Sequence, residues 1–482
     1  MMPATLLHSR SLAAALVVTF LSGCSLMPTY ERPDAPVPAG WQQSGTGDAR
    51  LPAAADIGWQ QYFADARLRE LIGLALQNNR DLRVAALNIE AARAQYGVVR
   101  ADQLPTVGAG ASMTRSRTAA DASPSGREML GNIYSANLAS TGFELDFFGR
   151  VRSMSTAALN QYLATQEARD AAQISLIAEV AKAYVAQRTA DEAMRISKMA
   201  LDSREKTYRL AKLRFNAGVI SAIDLRQNET LIESAHADYA AQTRLREQAG
   251  NALALLIGQP VPANLPPALP LGKQVAVNAL PVGMSSDVLL RRPDIRQSEY
   301  QLQAANANIG AARAAFFPRI SLTGSFGSVS RELDGLFTGP NMAWSFMPQI
   351  SLPIFDFGRN QSNLDLANAR KNIAVAQYEK SIQGAFREVA DQLAARRTLA
   401  DQLAAQERGY QAERERLRLV QMRYDNGISS SLDLLDAQRQ SYALEQALLL
   451  TRQAAMNNRI DLYKVLGGGL VDVTAVAPVS AR

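Results

Sequence analysis

Hydrophobic residues recur at helical spacing along most of this chain. Between residues 67 and 103 the apolar positions follow a period near 3.6, and Pro105 ends the run. Two longer segments, Arg150 to about Asn216 and Arg359 to about Asp425, combine a narrow apolar stripe with alternating alanines and charges. About 67 helical residues span roughly 100 Å at about 1.5 Å per residue. These segments predict helices much longer than those of a compact domain, and each needs lateral neighbours to cover its stripe.

The period changes to two in four shorter segments. Residues 320–326 and 342–354 alternate between apolar and polar side chains, and the first half has counterparts at 107–113 and 143–147. Four strands of about ten residues with one apolar face are typical of transmembrane β-structure. A soluble sheet of two hairpins on a helical domain would show the same alternation. After the first 23 residues no uncharged apolar stretch of about 20 residues occurs, so the sequence does not predict a helical membrane span.

The same arrangement occurs twice in the chain. The pentapeptide DFFGR at 146–150 returns as FDFGR at 355–359, and RFNAG at 214–218 returns as RYDNG at 423–427, both with an offset of 209. Upstream of the hairpins, at Pro105, the offset to the matching residue is 213. Each copy therefore predicts a helix, two strands, a long helix, a tight turn and a helix.

Strand number constrains the assembly. Lipid tolerates no unpaired strand edge, and four strands are too few to close a barrel. Two chains would supply eight strands, whose interior side chains fill the barrel, whereas three chains would supply twelve and leave a passage. We therefore predict a homotrimer, in which the long helices form a second tube that continues the barrel.

The first 23 residues predict a secretory leader. Arg10 is the only charged residue there, and the apolar run 12–21 is too short to span a bilayer. The tetrapeptide LSGC at 21–24 resembles a bacterial lipobox, so we predict that Cys24 is acylated and anchors the chain in lipid. A signal peptide that merely lies near an unmodified cysteine is the alternative. Ser25 replaces the aspartate of an inner-membrane retention signal, which favours the outer membrane.

Composition excludes several classes of function. The 482 residues include 51 basic and 45 acidic side chains, and the resulting charge of +6 is too evenly spread to predict binding to nucleic acid. One cysteine and two histidines argue against zinc sites, and the chain has no Gly-rich nucleotide loop, so we expect no metal and no other cofactor. None of the 20 prolines falls within 125–259 or 354–477, as long helices require.

Several short segments, taken together, resemble one family. They are the lipobox, AADIGW at 54–59, NNRDLRVA at 78–85, RRPDI at 291–295, AARAAFFP at 311–318 and LLDAQR at 434–439. The chain resembles the lipoprotein OprM type of outer-membrane factor of tripartite efflux pumps, within the TolC superfamily. The resemblance covers the mature chain from Cys24 to Gly469.

The resemblance implies a fold that is mainly α with a membrane β-barrel. The two-fold internal repeat of long helices plus two β-hairpins would form, as a trimer, a 12-stranded barrel continued by an α-helical periplasmic barrel with an equatorial α/β belt. The chain is predicted to begin with a signal peptide at 1–23 and a lipidated and equatorial segment at 24–66. A first repeat follows at 67–258, with its hairpin at 105–148 and its tip at 216–221. A proline-rich equatorial linker at 259–286 leads to a second repeat at 287–467, with its hairpin at 318–357 and its tip at 425–430, and a tail at 468–482 ends the chain.

The tips of the two long hairpins are the first candidate site. Gly218 and Gly427 can end helices in the left-handed conformation, and the S-x-x-D spacing at 221–224 and 430–433 predicts helix caps. In the resembled family the tips close the periplasmic end and meet the adaptor protein. The resemblance assigns adaptor contact to Ala217, Gly218, Val219, Asn426, Gly427 and Ile428. Capping and adaptor contact are compatible roles.

A gate near the second tip is the second candidate site. The resemblance assigns it to Tyr424, Leu432, Asp436 and Arg439. Asp436 and Arg439 are i,i+3 neighbours, so an ordinary exposed helix pair would also explain them. Their counterparts 209 positions earlier are the uncharged Gln227 and Thr230, so the shared fold does not require the charges. We interpret them as gate residues whose ion pairs or hydrogen bonds between neighbouring helices break on opening.

The sequence therefore predicts the outer-membrane channel of a tripartite efflux system. The channel would be a passive conduit for drugs or other small molecules and not an enzyme. It would be anchored by lipid in the outer membrane and would extend into the periplasm. The resemblance implies two partners, a periplasmic adaptor and an inner-membrane pump of the resistance-nodulation-division class. A periplasmic coiled-coil scaffold lipoprotein without channel activity is the alternative, and a surface glycosidase with paired carboxylates is a weaker one, because no carboxylate pair stands in an identifiable site.

Overall fold

The structure, a computed structural model, describes residues 25–41, 53–276 and 285–471. The predicted leader and Cys24 lie outside the described residues, as does most of the predicted tail. Within those ranges the α-helices are α1 (Trp59–Tyr62), α2 (Ala66–Asn78), α3 (Arg80–Ala101), α4 (Arg150–Asn216), α5 (Ala222–Ile257), α6 (Pro293–Ala314), α7 (Arg359–Asp425) and α8 (Ser431–Val465). The strands are β1 (Gly108–Thr118), β2 (Met129–Leu145), β3 (Arg319–Ser330) and β4 (Met342–Ser351).

The two long helices have the predicted bounds. Both α4 and α7 are 67 residues long and contain no proline, so no missing N–H group interrupts the backbone hydrogen bonds of either helix. Asp146 begins α4 by accepting hydrogen bonds from the backbone N–H groups of Val151 and Arg152, at 3.0 and 2.7 Å. A carboxylate at this end also interacts favourably with the helix dipole.

The segment that precedes the first hairpin contains a break that the periodicity did not predict. Residues 67–103 form two helices, α2 and α3, separated at Asn79, which has an extended backbone (φ −62°, ψ 131°). The Asn79 side chain accepts a hydrogen bond from the Leu82 N–H at 2.9 Å and so caps α3. It also donates to the Leu256 carbonyl at 2.9 Å, which ties the break to the end of α5.

The four strands form one antiparallel sheet in the order β1-β2-β3-β4. β2 has 17 residues, more than the ten or so predicted, and carries a bulge between Ser140 and Phe143. Serines on neighbouring strands form a hydrogen bond across the sheet, where the Oγ atoms of Ser112 and Ser135 are 2.8 Å apart. The order leaves β1 and β4 at the two edges, and every residue of both strands is exposed. In the described part of the chain, no helix is both long and apolar enough to cross a membrane.

The chain divides into two compact units. The first holds the sheet together with residues 88–165 and 297–378, and the amino-terminal segment up to Asp34. In this unit residues 25–32 lie along α6, where Glu299 accepts hydrogen bonds from Arg32 at 2.7 and 3.0 Å. Gly310 of α6 allows close approach, because a Cβ there would lie 2.8 Å from the Met27 Cα. The amino-terminal segment is thus fixed to a helix that leads directly into β3.

The second unit holds residues 35–87, 166–296 and 379–482. The Asp65 carboxylate is buried in this unit and caps α2 through the Arg67 N–H at 2.9 Å. The same carboxylate accepts from the Tyr184 hydroxyl at 2.9 Å and from the Leu269 N–H at 3.1 Å. One side chain therefore joins α2, α4 and the proline-rich linker.

Two stacked tyrosines join α1 to α8 in this unit. The rings of Tyr62 and Tyr463 are 3.9 Å apart and nearly parallel. Each hydroxyl donates to a backbone carbonyl: that of Tyr62 to Arg459 at 2.7 Å and that of Tyr463 to Ile57 at 2.6 Å. Burial raises the pKa of both hydroxyls, so both remain donors. The end of α8 is thereby fixed to the segment that precedes α2.

Asp65→Ala should destabilise the protein by about 2–4 kcal/mol, because it removes a helix cap and leaves the buried Tyr184 hydroxyl and Leu269 N–H without a partner. Tyr184→Phe deletes one of these bonds and should cost only about 1 kcal/mol. Thermal unfolding followed by circular dichroism should rank the wild type first, Tyr184→Phe second and Asp65→Ala last. Equal losses in the two variants would contradict the central role of the carboxylate.

Gly327→Val should weaken the sheet, because a Cβ at residue 327 would collide with the Ala136 carbonyl and lie 2.5 Å from the Asn137 Cα on β2. Gly131→Val is the matched control on β2, since a Cβ there meets no atom within 4 Å. We expect a lower melting temperature and less folded protein in detergent extracts for Gly327→Val alone. A normal melting temperature in both variants would show that β2 and β3 can separate without loss of stability.

Candidate functional site at the helical tips

The two tips have the same backbone geometry. Two residues after the last residue of α4 and of α7 comes a glycine in the left-handed conformation, Gly218 with φ 73° and Gly427 with φ 74°. After each glycine an N–H turns back to the helix: Val219 donates to the Arg214 carbonyl and Ile428 to the Arg423 carbonyl, both at 2.8 Å. This is the Schellman arrangement, which satisfies carbonyls at a helix end. A side chain at either glycine would strain the backbone.

The helices that leave the tips begin with the predicted caps. The Ser221 hydroxyl accepts from the Asp224 N–H at 3.1 Å, and the Ser221 N–H donates to the Asp224 carboxylate at 3.2 Å. Ser430 and Asp433 make the same two contacts at the start of α8, at 3.2 and 3.1 Å. These reciprocal bonds hold each tip in one conformation. They also lower the pKa of Asp224, whose carboxylate accepts from the Ser221 hydroxyl, so it stays ionised.

The residues assigned to adaptor contact are all exposed in this chain. They are Ala217, Gly218, Val219, Asn426, Gly427 and Ile428. Val219 and Ile428 are the apolar members, with 69% and 68% of their surface accessible. Their contact with an adaptor stays a prediction.

The two tips contact each other within the chain. The guanidinium of Arg214, near the end of α4, lies 4.9 Å from the centre of the Tyr424 ring, near the end of α7. Tyr424 is buried, in contrast to the exposed Leu432. The Ser431 hydroxyl donates to the Asp224 carboxylate at 3.3 Å, which joins the starts of α5 and α8. A movement of one tip is therefore coupled to the other through a cation–π contact and a hydrogen bond.

Asp436 is the centre of an ion cluster on the second hairpin. Its carboxylate accepts from Arg416 of α7 at 2.7 Å and from Arg439 of α8 at 2.9 Å. Arg416 also faces Glu413 at 3.3 Å. The hydrogen bonds from Arg416 and Arg439 lower the pKa of Asp436, so the carboxylate stays ionised well below neutral pH and the contact persists there. The structure thus joins two of the predicted gate residues and adds a third partner on the other helix.

Arg416 was not found from the sequence. It lies 20 residues before Asp436, which is too far for the i,i+3 or i,i+4 spacing of an ion pair within one helix. The two residues lie at similar distances on either side of the tip, however. Because the chain reverses direction at Gly427, α7 and α8 bring them side by side. The position 209 residues before Arg416 holds Thr207, so all three members of the cluster have uncharged counterparts in the first repeat.

Arg204 makes a second contact between the hairpins, and it too was not singled out from the sequence. Its buried guanidinium lies 5.7 Å from the Tyr442 ring centre on α8 and donates to the Leu231 carbonyl on α5 at 3.2 Å. Desolvation lowers the pKa of Arg204, though the group remains a cation because an arginine starts far above neutrality. Among the described residues no group of three or more histidine, cysteine and acidic side chains could hold a metal ion.

Comparisons with known proteins identify the family. Residues 71–259 and again 284–468 match the family described as outer membrane efflux protein. The chain is 45% identical to the probable efflux pump outer membrane protein TtgC of Pseudomonas putida, over 97% of this chain and 98% of that protein. It is 46% identical to the outer membrane protein OprJ of Pseudomonas aeruginosa, over 95% of each.

Solved structures agree. The open state of the MtrE outer membrane channel of Neisseria gonorrhoeae has a TM-score of 0.85 and 47% identity, over 93% of this chain and 99% of that one. A structure of CusC has a TM-score of 0.82 and 40% identity, over 92% of this chain and 100% of that one. These matches confirm the predicted resemblance, fold class, efflux function and outer-membrane location. The chain belongs to the family of outer membrane efflux proteins.

Proposed function

We propose that this outer-membrane efflux channel is a passive conduit that is held closed near its second tip by the Arg416–Asp436–Arg439 cluster. The observation that carries the proposal is the position of Asp436, which bridges α7 and α8 of one hairpin. The first repeat builds an equally long hairpin without these charges. The shared fold does not need these charges, yet they join two helices at the end of a channel. Control of the channel's opening explains them best.

The cluster would act by fixing the spacing of α7 and α8. Both arginines lie in the same chain as Asp436, so the contact restrains one hairpin and opening requires the carboxylate to exchange partners or separate from Arg416. Tyr424, held beneath Arg214, and the exposed Leu432 would narrow the passage beside it. Because these charges are exposed, the contact is weak enough to break when a partner binds.

Partners are expected at the tips. Val219 and Ile428 expose apolar side chains at the two turns, and Ile223 exposes another in the first turn of α5. Such surfaces mark sites of protein contact. The family supplies components of efflux pumps, which supports a periplasmic adaptor at the tips and an inner-membrane pump, of the resistance-nodulation-division class, as the source of energy. The conduit itself would carry out no catalysis.

The substrates would be drugs or other small molecules. Relatives at 45–47% identity are named for antibiotic efflux (ArpC), solvent efflux (SrpC) and toluene efflux (TtgC), all in Pseudomonas putida. One fold thus occurs with several cargoes, as expected of a conduit whose pump selects the substrate.

Asp436→Ala combined with Arg439→Ala should raise closed-state conductance in planar bilayers, because α8 loses its charge contact with α7. Arg416→Ala should raise it too, since Asp436 then keeps only its neighbour on the same helix. Glu229→Ala is the matched control: it breaks an exposed i,i+3 pair with Arg226, at 2.5 Å, on the first hairpin.

The control should conduct like the wild type. Unchanged closed-state conductance in both cluster variants would contradict the gate. Absence of any conductance in the wild-type protein would instead favour the scaffold alternative.

A further inference from the structure

We infer that a cavity between α7 and α8 binds a small organic anion, namely a carboxylate that carries an apolar body. The cavity has a volume of about 370 Å³, which is within the range of small-molecule sites. Tyr62, at the end of α1, lines it together with side chains of the two helices. The site is separate from the charged cluster around Asp436, whose members do not line it.

The cavity has a buried floor and an open mouth. Tyr62 and Leu462 form the floor and are only 1% and 3% exposed. Leu399 and Leu403 of α7 are half-buried in the wall, whereas Arg459 at the mouth is exposed. These side chains can therefore cover the apolar body of a ligand while its polar end stays near water.

Two arginines, Arg396 of α7 and Arg459 of α8, make the cavity positively charged. The Nη1 atom of Arg396 is shielded from solvent and has no hydrogen-bond partner. Burial raises the pKa of the Tyr62 hydroxyl, and Arg459 and Arg396 both act against that rise, so both charges lie near this hydroxyl. A shielded donor without a partner costs free energy, and an anion in the cavity would remove that cost.

Among the described residues, the cavity has no free counterion. Glu407 is the acidic side chain that lines it, and its carboxylate is already paired with Arg452 at 2.7 Å. Neither cavity arginine forms an ion pair within the described part of the chain. An anion that balances the two arginines would therefore have to come from outside these residues.

The first repeat fills the corresponding space with an ion pair. The positions 209 residues before Ala400 and Ala455 hold Asp191 and Arg246. Their side chains meet at 2.8 Å and join α4 to α5. In the second repeat the two alanines line the cavity and leave this space open. The cavity is therefore a departure from the shared fold and not a consequence of it.

The two arginines are also specific to the second repeat. Their counterparts are Gln187 and Gly250, which are uncharged. These two residues face each other, because a Cβ on Gly250 would lie 3.7 Å from the Gln187 Nε2. By the same geometry, Arg396 and Arg459 occupy facing positions on α7 and α8. Two like charges at such positions repel each other unless an anion lies between them.

A carboxylate is the anion that fits these groups best. Its two oxygens match the paired N–H donors of a guanidinium group. An aromatic or short aliphatic body would pack on Leu399, Leu403 and the Tyr62 ring, which line the cavity. The ligand would thus supply the carboxylate that Asp191 supplies in the first repeat.

Fluorine NMR of the full-length trimer in lipid nanodiscs tests the site, with para-fluorophenylacetate as the probe. We expect saturable broadening of the probe resonance. The neutral para-fluorophenylacetamide lacks the charge and should not compete with the probe, and trifluoroacetate, which lacks the apolar body, should bind more weakly. An amide that binds as tightly as the acid would contradict the role of the arginines.

Arg396→Gln should weaken binding of the probe about tenfold, because it removes a charge-assisted hydrogen bond. The fold should accept this change, since the first repeat has a glutamine at the corresponding position. Arg397→Gln is the matched control: Arg397 is the next residue along α7, is exposed and does not line the cavity. The control should bind the probe like the wild type.

Ala400→Asp should have two effects of opposite sign. The new carboxylate would lie one helical turn from Arg396 and balance its charge, so binding of the probe should be lost. For the same reason the melting temperature of the protein should rise. A variant that binds the probe like the wild type would count against the site.

Wild-type affinity in Arg396→Gln, or no saturable binding to the wild-type trimer, would overturn the inference. The second result would mean that water or an acidic side chain of another copy satisfies the arginines. Neither result affects the proposed gate, because closed-state conductance tests it separately.

Discussion

Backbone hydrogen bonding in lipid is the constraint on which this molecule depends. An unsatisfied N–H or C=O group in the hydrocarbon layer costs several kcal/mol, because no water is present to replace the missing partner. The four-stranded sheet satisfies its interior strands and leaves one edge of β1 and one edge of β4 open. A single chain therefore cannot satisfy all its backbone groups in a membrane. The long helices also need neighbours, because their narrow apolar stripes must be covered by other helices.

The two repeats share one fold but differ in a few charged residues. Both repeats build a helix that leads into two strands, a long helix, a left-handed glycine turn and a capping box, so these features belong to the shared fold. The differences carry the specific chemistry. Two arginines bond to Asp436, whereas the corresponding positions of the first repeat hold only threonines and a glutamine. Glu144 pairs with Arg319, whereas the corresponding positions of the other repeat hold a proline and a threonine. Comparison of the repeats separates what the fold requires from what the channel requires.

The sequence predicted well the features that local signals determine, and poorly those that depend on packing. The bounds of α4 and α7 followed from the absence of proline and from Gly218 and Gly427, which are local signals. The break at Asn79 was missed because it lies inside a continuous apolar period, and its cap is completed by a contact with α5. The partner of Asp436 was missed because Arg416 is brought near only by the return of the helix, and the length of β2 because its central residues are small and polar.

Covalent linkage of the repeats changes how the assembly responds to concentration. The pairing of β2 with β3 joins the two repeats within one molecule, so the effective concentration of one repeat near the other is set by the linker and not by the amount of protein in the membrane. In a trimer three junctions between chains remain, and their formation depends on protein concentration. A trimer of such chains thus assembles as a three-body process, because each chain has joined its own two repeats before any two chains meet.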